Sequence, residues 1–141
     1  MIRRSIATAV LAGTVLFGSA GAASAAEVFT TELRGEEEVP TLGDLDGSGF
    51  AVVVAIPEAG LVCYGIVVFG IAPATAAHIH EAPRGVAGPV VVGLQPPTGG
   101  GSGGCVSNQE QAEDIAENPS DYYVNVHNAE FPGGALRGQL G

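Results

Sequence analysis

The stretch FAVVVAIPEAGLVCYGIVVF, Phe50 to Phe69, decides the fold. Phe50 to Ile56 is a continuous β-branched run, and Leu61 to Phe69 reads as the next strand. Between them Pro57-Glu58-Ala59-Gly60 supplies turn chemistry: a proline with fixed φ, then a glycine free to take positive φ. These two runs joined by so short a turn predict a β-hairpin. Upstream, Val28 to Arg34 alternates in part and reads as a strand. It is followed by a polar loop, Gly35 to Gly49, that carries Glu36-Glu37-Glu38. Downstream, Thr75 to Glu81, Pro89 to Leu94, Tyr122 to Val126 and Ala135 to Leu140 read as four more strands. Gln95 to Gly104 is mostly Pro, Gly and Ser and reads as a flexible surface loop. Ser107 with Glu110 fits a capping box for a short helix, Gln109 to Ala116, which Asn118-Pro119 ends. The expectation is an all-β domain, a Greek-key sandwich or barrel of about seven strands with one short helix.

The N-terminus gives an address. Arg3 and Arg4 precede an apolar stretch from Ile6 to Phe17, and small residues run up to Ala23-Ser24-Ala25. That order predicts a secretory signal peptide, residues 1–25, and a mature domain, residues 26–141. An uncleaved N-terminal anchor is the alternative, although the stretch is short for a span of ~20 residues. No second apolar run of spanning length follows, so no membrane span is expected in the mature chain. The mature chain keeps three arginines against fifteen acidic residues, and it has no lysine. Such a field repels phosphate backbones and disfavours nucleic acid and anionic membrane surfaces. Cys63 and Cys105 in an exported chain predict one disulfide, with free thiols or metal ligands as the alternative.

The histidines carry the chemistry. There are three, His78, His80 and His127. In a strand, residues two apart share a face, so His78 and His80 point one way and Ile79 points into the core. In the later strand Val124 and Val126 take the core side, which puts Tyr123, Asn125 and His127 on the other. If the two strands are neighbours, three imidazoles converge. Neutral imidazoles suit Cu(II), Zn(II) or Ni(II). Glu81 and Asn128, each beside a histidine in the chain, are candidates to orient the ligands by hydrogen bonding. The bland alternative is a polar stripe. Asp44-Leu45-Asp46-Gly47-Ser48-Gly49 resembles the start of a calcium loop, but Ala55 stands where a bidentate Glu is needed, which rejects an EF-hand. The serines occupy turns and caps without a nucleophile-elbow context.

Two passages carry a family resemblance: AHIHEAPRGVAGPVVVGL (Ala77 to Leu94) and NPSDYYVNVHNAEFPGGALRGQL (Asn118 to Leu140). With LRGEEEVP (Leu33 to Pro40), they resemble the CHRD domain, named for the vertebrate protein chordin and found in exported microbial proteins. The resemblance implies an immunoglobulin-like β fold and assigns little function. His78-Ile79-His80-Glu81 is also similar to the His-x-His-Glu strand of copper/zinc superoxide dismutases. His127 could match a later copper ligand there. Arg137, after the Gly133-Gly134 turn, could match an arginine that guides the anion, or else be a structural arginine paired with a carboxylate. Three histidines leave none for the dismutases' bridging and zinc positions.

Three functional expectations follow. One is a noncatalytic extracellular module that binds a protein or a cell-envelope component. Another is a copper- or zinc-binding domain using His78, His80 and His127. The third is a redox enzyme of the dismutase kind, which a strongly acidic field opposes.

Overall fold

The structure, a computed structural model, describes residues 25–141, so the expected signal peptide lies outside the described residues, save Ala25. The elements in order are β1 (Glu27–Arg34), β2 (Ser48–Ile56), β3 (Leu61–Phe69), β4 (Ala74–Glu81), β5 (Val90–Leu94), β6 (Gly101–Ser107), α1 (Gln109–Glu117), β7 (Tyr122–Asn128) and β8 (Leu136–Gln139). All eight strands form one antiparallel sheet in the order β5-β4-β7-β8-β1-β2-β3-β6. Its two end strands, β5 and β6, approach each other, so the sheet is a nearly closed barrel. The all-β expectation holds in its barrel form, with eight strands in place of seven.

The β2–β3 hairpin is the centre of one wall. Phe50 pairs with Val67 and Ile56 with Leu61 across β2 and β3. Gly60 takes the left-handed conformation, φ 61°, that the tight turn requires. Period-two alternation sends Ala51, Val53 and Ala55 from β2, and Val62, Tyr64 and Ile66 from β3, into the barrel. Ile79, Val124, Val126 and Leu136 meet them from β4, β7 and β8. From α1, Ala112 and Ile115 join the same core.

Two local expectations are corrected. The stretch read as a loop up to Gly104 contains most of β6. Its Gly-Ser-Gly-Gly backbone pairs with β3, and Cys63 faces Cys105 across the ladder in a disulfide. Glycine strands carry no hydrophobic alternation, so the ladder and its covalent clip left no periodic trace in the sequence. The N-cap of α1 is Asn108 in place of Ser107. Its side chain accepts a hydrogen bond from the Gln111 N–H at 3.1 Å, while Ser107 is the last residue of β6. Among the described residues no helix is long and apolar enough to cross a membrane.

Candidate metal centre

β4 and β7 are neighbours, with Ala76 opposite His127, His78 opposite Asn125 and His80 opposite Tyr123. The inward residues of this pair, Ile79, Val124 and Val126, are fully buried, so the histidines emerge on the outer face of the wall. One ring nitrogen from each of His78, His80 and His127 lies within 4.8 Å of those of the other two. His78 Nδ1 and His127 Nε2 are 3.2 Å apart. That is the spacing of two nitrogens each about 2.0 Å from a shared ion at a near-tetrahedral angle. The residues therefore fit a transition-metal ion.

Backbone carbonyls orient two of the rings. His127 Nδ1–H donates to the Pro132 carbonyl at 3.0 Å, which leaves Nε2 as its lone-pair nitrogen. His80 Nδ1–H donates to the Gly88 carbonyl at 2.9 Å, which leaves Nε2 to meet a metal. Burial, then the neighbouring His127 and His80 charges, hold His78 below the ordinary histidine pKa. Burial does the same to His127. Both rings are thereby kept neutral, the form that binds metal.

A polar layer continues outward along β7 and β8. Tyr123 stacks on His80 with ring centroids 4.8 Å apart, and the Arg137 guanidinium lies 3.5 Å from the Tyr123 centroid. Arg137 is 1% exposed. Its Nη1 donates to the Val86 carbonyl, and Nη2 donates to Pro83 O and Gln139 Oε1. Gln139 Nε2 donates to the carbonyls of Ala82 and Ser120. The Gly88 N–H donates to the Tyr123 hydroxyl. These bonds pin the loop between β4 and β5 over the wall. Gly88 is obligatory there, because a Cβ would sit 2.0 Å from the Glu81 carbonyl oxygen.

Several expected roles fall out differently. Arg137 is structural, but its partners are carbonyls and an aromatic face in place of a carboxylate, and it has no exposed surface for an anion. Asn128 caps the turn after β7, where its Oδ1 accepts from the N–H groups of Glu130 and Phe131. Glu81 is exposed. Among the described residues neither hydrogen-bonds a histidine ring. The orienting groups are Gly88 O, Pro132 O and Asn125, and two of those are main chain. Glu38 was also missed. It looked like part of a solvated acidic run, yet it is 4% exposed and sits 3.4 Å from Asn125 Nδ2, which donates to its Oε1. Burial pushes its carboxyl up to about 7, against the opposing pull of Asn125 and Arg137. Glu37 instead pairs with Arg84 at the surface, and Asp44 Oδ1 caps its own turn by accepting from the N–H groups of Asp46 and Gly47.

A search of the curated proteins and a search of the solved structures find no match to this chain. The family model of the CHRD domain, by contrast, matches residues 29–140, from the third residue of β1 to one residue past β8. That span holds the three histidines and the disulfide, a pairing that suits an extracellular domain. The chain belongs to the CHRD domain family.

Proposed function

We propose that this protein is an exported, noncatalytic CHRD module that binds one copper or zinc ion through His78, His80 and His127. The observation that carries the reading is the convergence of three ring nitrogens within 4.8 Å on two rigid, adjacent strands. It is supported by the Gly88 and Pro132 carbonyls, each of which sets the tautomer of one ring. The signal-like N-terminus, the disulfide and the family support export. The net charge of −10, and of −12 once the two signal arginines are gone, attracts a cation from solution. The same field, with Arg137 buried under the β4–β5 loop, leaves no electropositive route for superoxide, which argues for holding the ion over turning it over.

The test is a thermal melt of residues 26–141 with and without Cu(II) or Zn(II). At a metal concentration one hundred times the dissociation constant, the folded state gains about 2.7 kcal/mol. The melting temperature of the wild type is expected to rise accordingly, and that of His80→Ala to stay flat. A wild-type melt that ignores both metals would reduce the cluster to a polar stripe on a binding module.

A further inference from the structure

Asn125 stands in the middle of the histidine cluster. It is opposite His78 in the β4–β7 register, 3% exposed, and hydrogen-bonded on both sides. Its Oδ1 is 3.0 Å from His80 Nε2, and its Nδ2 donates to Glu38 Oε1 at 3.4 Å. His80 has already committed Nδ1 to the Gly88 carbonyl. Nε2 is therefore the only nitrogen that His80 can offer a metal, and Asn125 occupies it. The orientation of the amide does not alter this. With Oδ1 toward His80, Nε2 would also have to carry a proton and the ring would be an imidazolium; with the amide turned end for end, Nδ2–H donates to the Nε2 lone pair of a neutral ring and Oδ1 faces Glu38. In both cases the direction that a metal needs is filled.

We infer that Asn125 is the latch of the metal site: it competes with the ion for His80 Nε2 and must let go for His80 to become a ligand. This deepens the proposed function and rests on it. The latch does not leave Asn125 stranded when it opens, because Asn125 already reaches Glu38 on its other side. Room for Glu38 is built in at Gly134, where φ is 139° and a Cβ would lie 2.4 Å from the carboxyl carbon. The other two ligands hydrogen-bond each other, His78 Nδ1–H to His127 Nε2 at 3.2 Å, so an ion that displaces that one proton meets both nitrogens with no third group between them. The order of capture that follows is His127 and His78 first, then His80 as Asn125 swings toward Glu38. A site that gives up a buried hydrogen bond on loading binds more weakly than its three imidazoles allow. It is therefore suited to an exchangeable ion, as in storage or transfer, over a permanent structural one.

The experiment compares zinc and Cu(II) affinities, by competition with a chelator of known affinity, in wild type, Asn125→Leu and Asn125→Ala. Leucine is close to asparagine in size and removes the hydrogen bonds to both His80 and Glu38. The metal-free variants are expected to melt at lower temperature than wild type, yet to bind either ion roughly five- to tenfold more tightly, the factor set by the net free energy of one hydrogen bond. A merely structural Asn125 would lower both quantities together. Equal or weaker affinity in both variants, with wild type binding, overturns the latch and leaves the metal site standing. Absence of binding in all three overturns both. Binding by the variants and not by wild type supports the latch at its strongest. Where neither variant folds, a crystal structure of zinc-loaded wild type decides. Asn125 withdrawn from His80 Nε2 toward Glu38 supports the latch, and a retained 3.0 Å contact overturns it.

Discussion

The barrel has two outer faces built from the same kind of strand, and they invert the usual rule. On the β2–β3–β6 wall, Phe50, Val67 and Phe69 point outward and stay exposed, Phe69 at 64%. A shallow groove of about 390 Å³ runs between Phe50, Val52 and Val67, open because Gly65 and Gly101 have no side chains to fill it. On the β4–β7–β8 wall His80, Tyr123, Asn125, Arg137 and Gln139 point outward and are buried, beside the half-buried His78 and His127. Apolar groups face water on one side, and polar groups are buried on the other. An exposed apolar side chain costs a fold little, whereas a buried polar one is costly unless it is hydrogen-bonded. The polar wall is therefore the specified one: its loop, its glycine at position 88 and its main-chain acceptors all serve to satisfy that layer.

The contrast can be broken or sharpened by substitution. The largest effect belongs to the apolar wall's covalent clip. Loss of the disulfide in a Cys63→Ala, Cys105→Ala protein opens a loop spanning 42 residues and is expected to cost about 4 kcal/mol in urea unfolding. A cost below about 1 kcal/mol would mean that the β3–β6 ladder alone holds β6. Next comes Arg137→Met, which strands the carbonyls of Pro83 and Val86 and removes the cation from the Tyr123 face. A loss of about 3 kcal/mol is expected, together with weaker metal binding as Gly88 loosens from His80. An Arg137→Met protein as stable as wild type would show that the loop does not depend on the guanidinium.

Glu38→Gln follows, and it is read by pH. The folded chain keeps the Glu38 proton up to about 7, while the unfolded chain sheds it near 4.5. The folded state thus binds more protons between those values. The stabilising contribution is complete below the unfolded value and is lost as pH rises through 7. At about 1.4 kcal/mol for each tenfold change, the whole effect is on the order of 3 kcal/mol. Denaturation curves should therefore show Glu38→Gln gaining on wild type steadily from pH 4.5 to pH 7. Parallel curves would mean that Glu38 is solvated like its neighbours. The smallest effect is expected of Phe69→Ser on the open wall: within about 0.5 kcal/mol, with metal affinity unchanged. A large loss there would show that the exposed face is not free.

What could be read in advance divides along the same line. The hairpin was legible because Phe50 to Phe69 sets a β-branched run and a second apolar run on either side of a proline-glycine turn. The face of each histidine was legible because Ile79, Val124 and Val126 fix the alternation on either side. Strand β6 was not, since glycines have no side chains to alternate. Nor were the groups that orient the rings: the carbonyls of Gly88 and Pro132 belong to every residue type alike and are chosen only by the path of the chain. Glu38 and Asn125 are 87 residues apart and meet only once the barrel closes. The histidines announced a cluster, and the fold supplied the groups that orient it.

The most direct test is native mass spectrometry of residues 26–141 exported from cells grown with copper and zinc, beside the variant in which His78, His80 and His127 are all alanine. One ion per chain in the wild type and none in the variant is the predicted result. Metal-free wild type, or an ion retained without the three histidines, would contradict it.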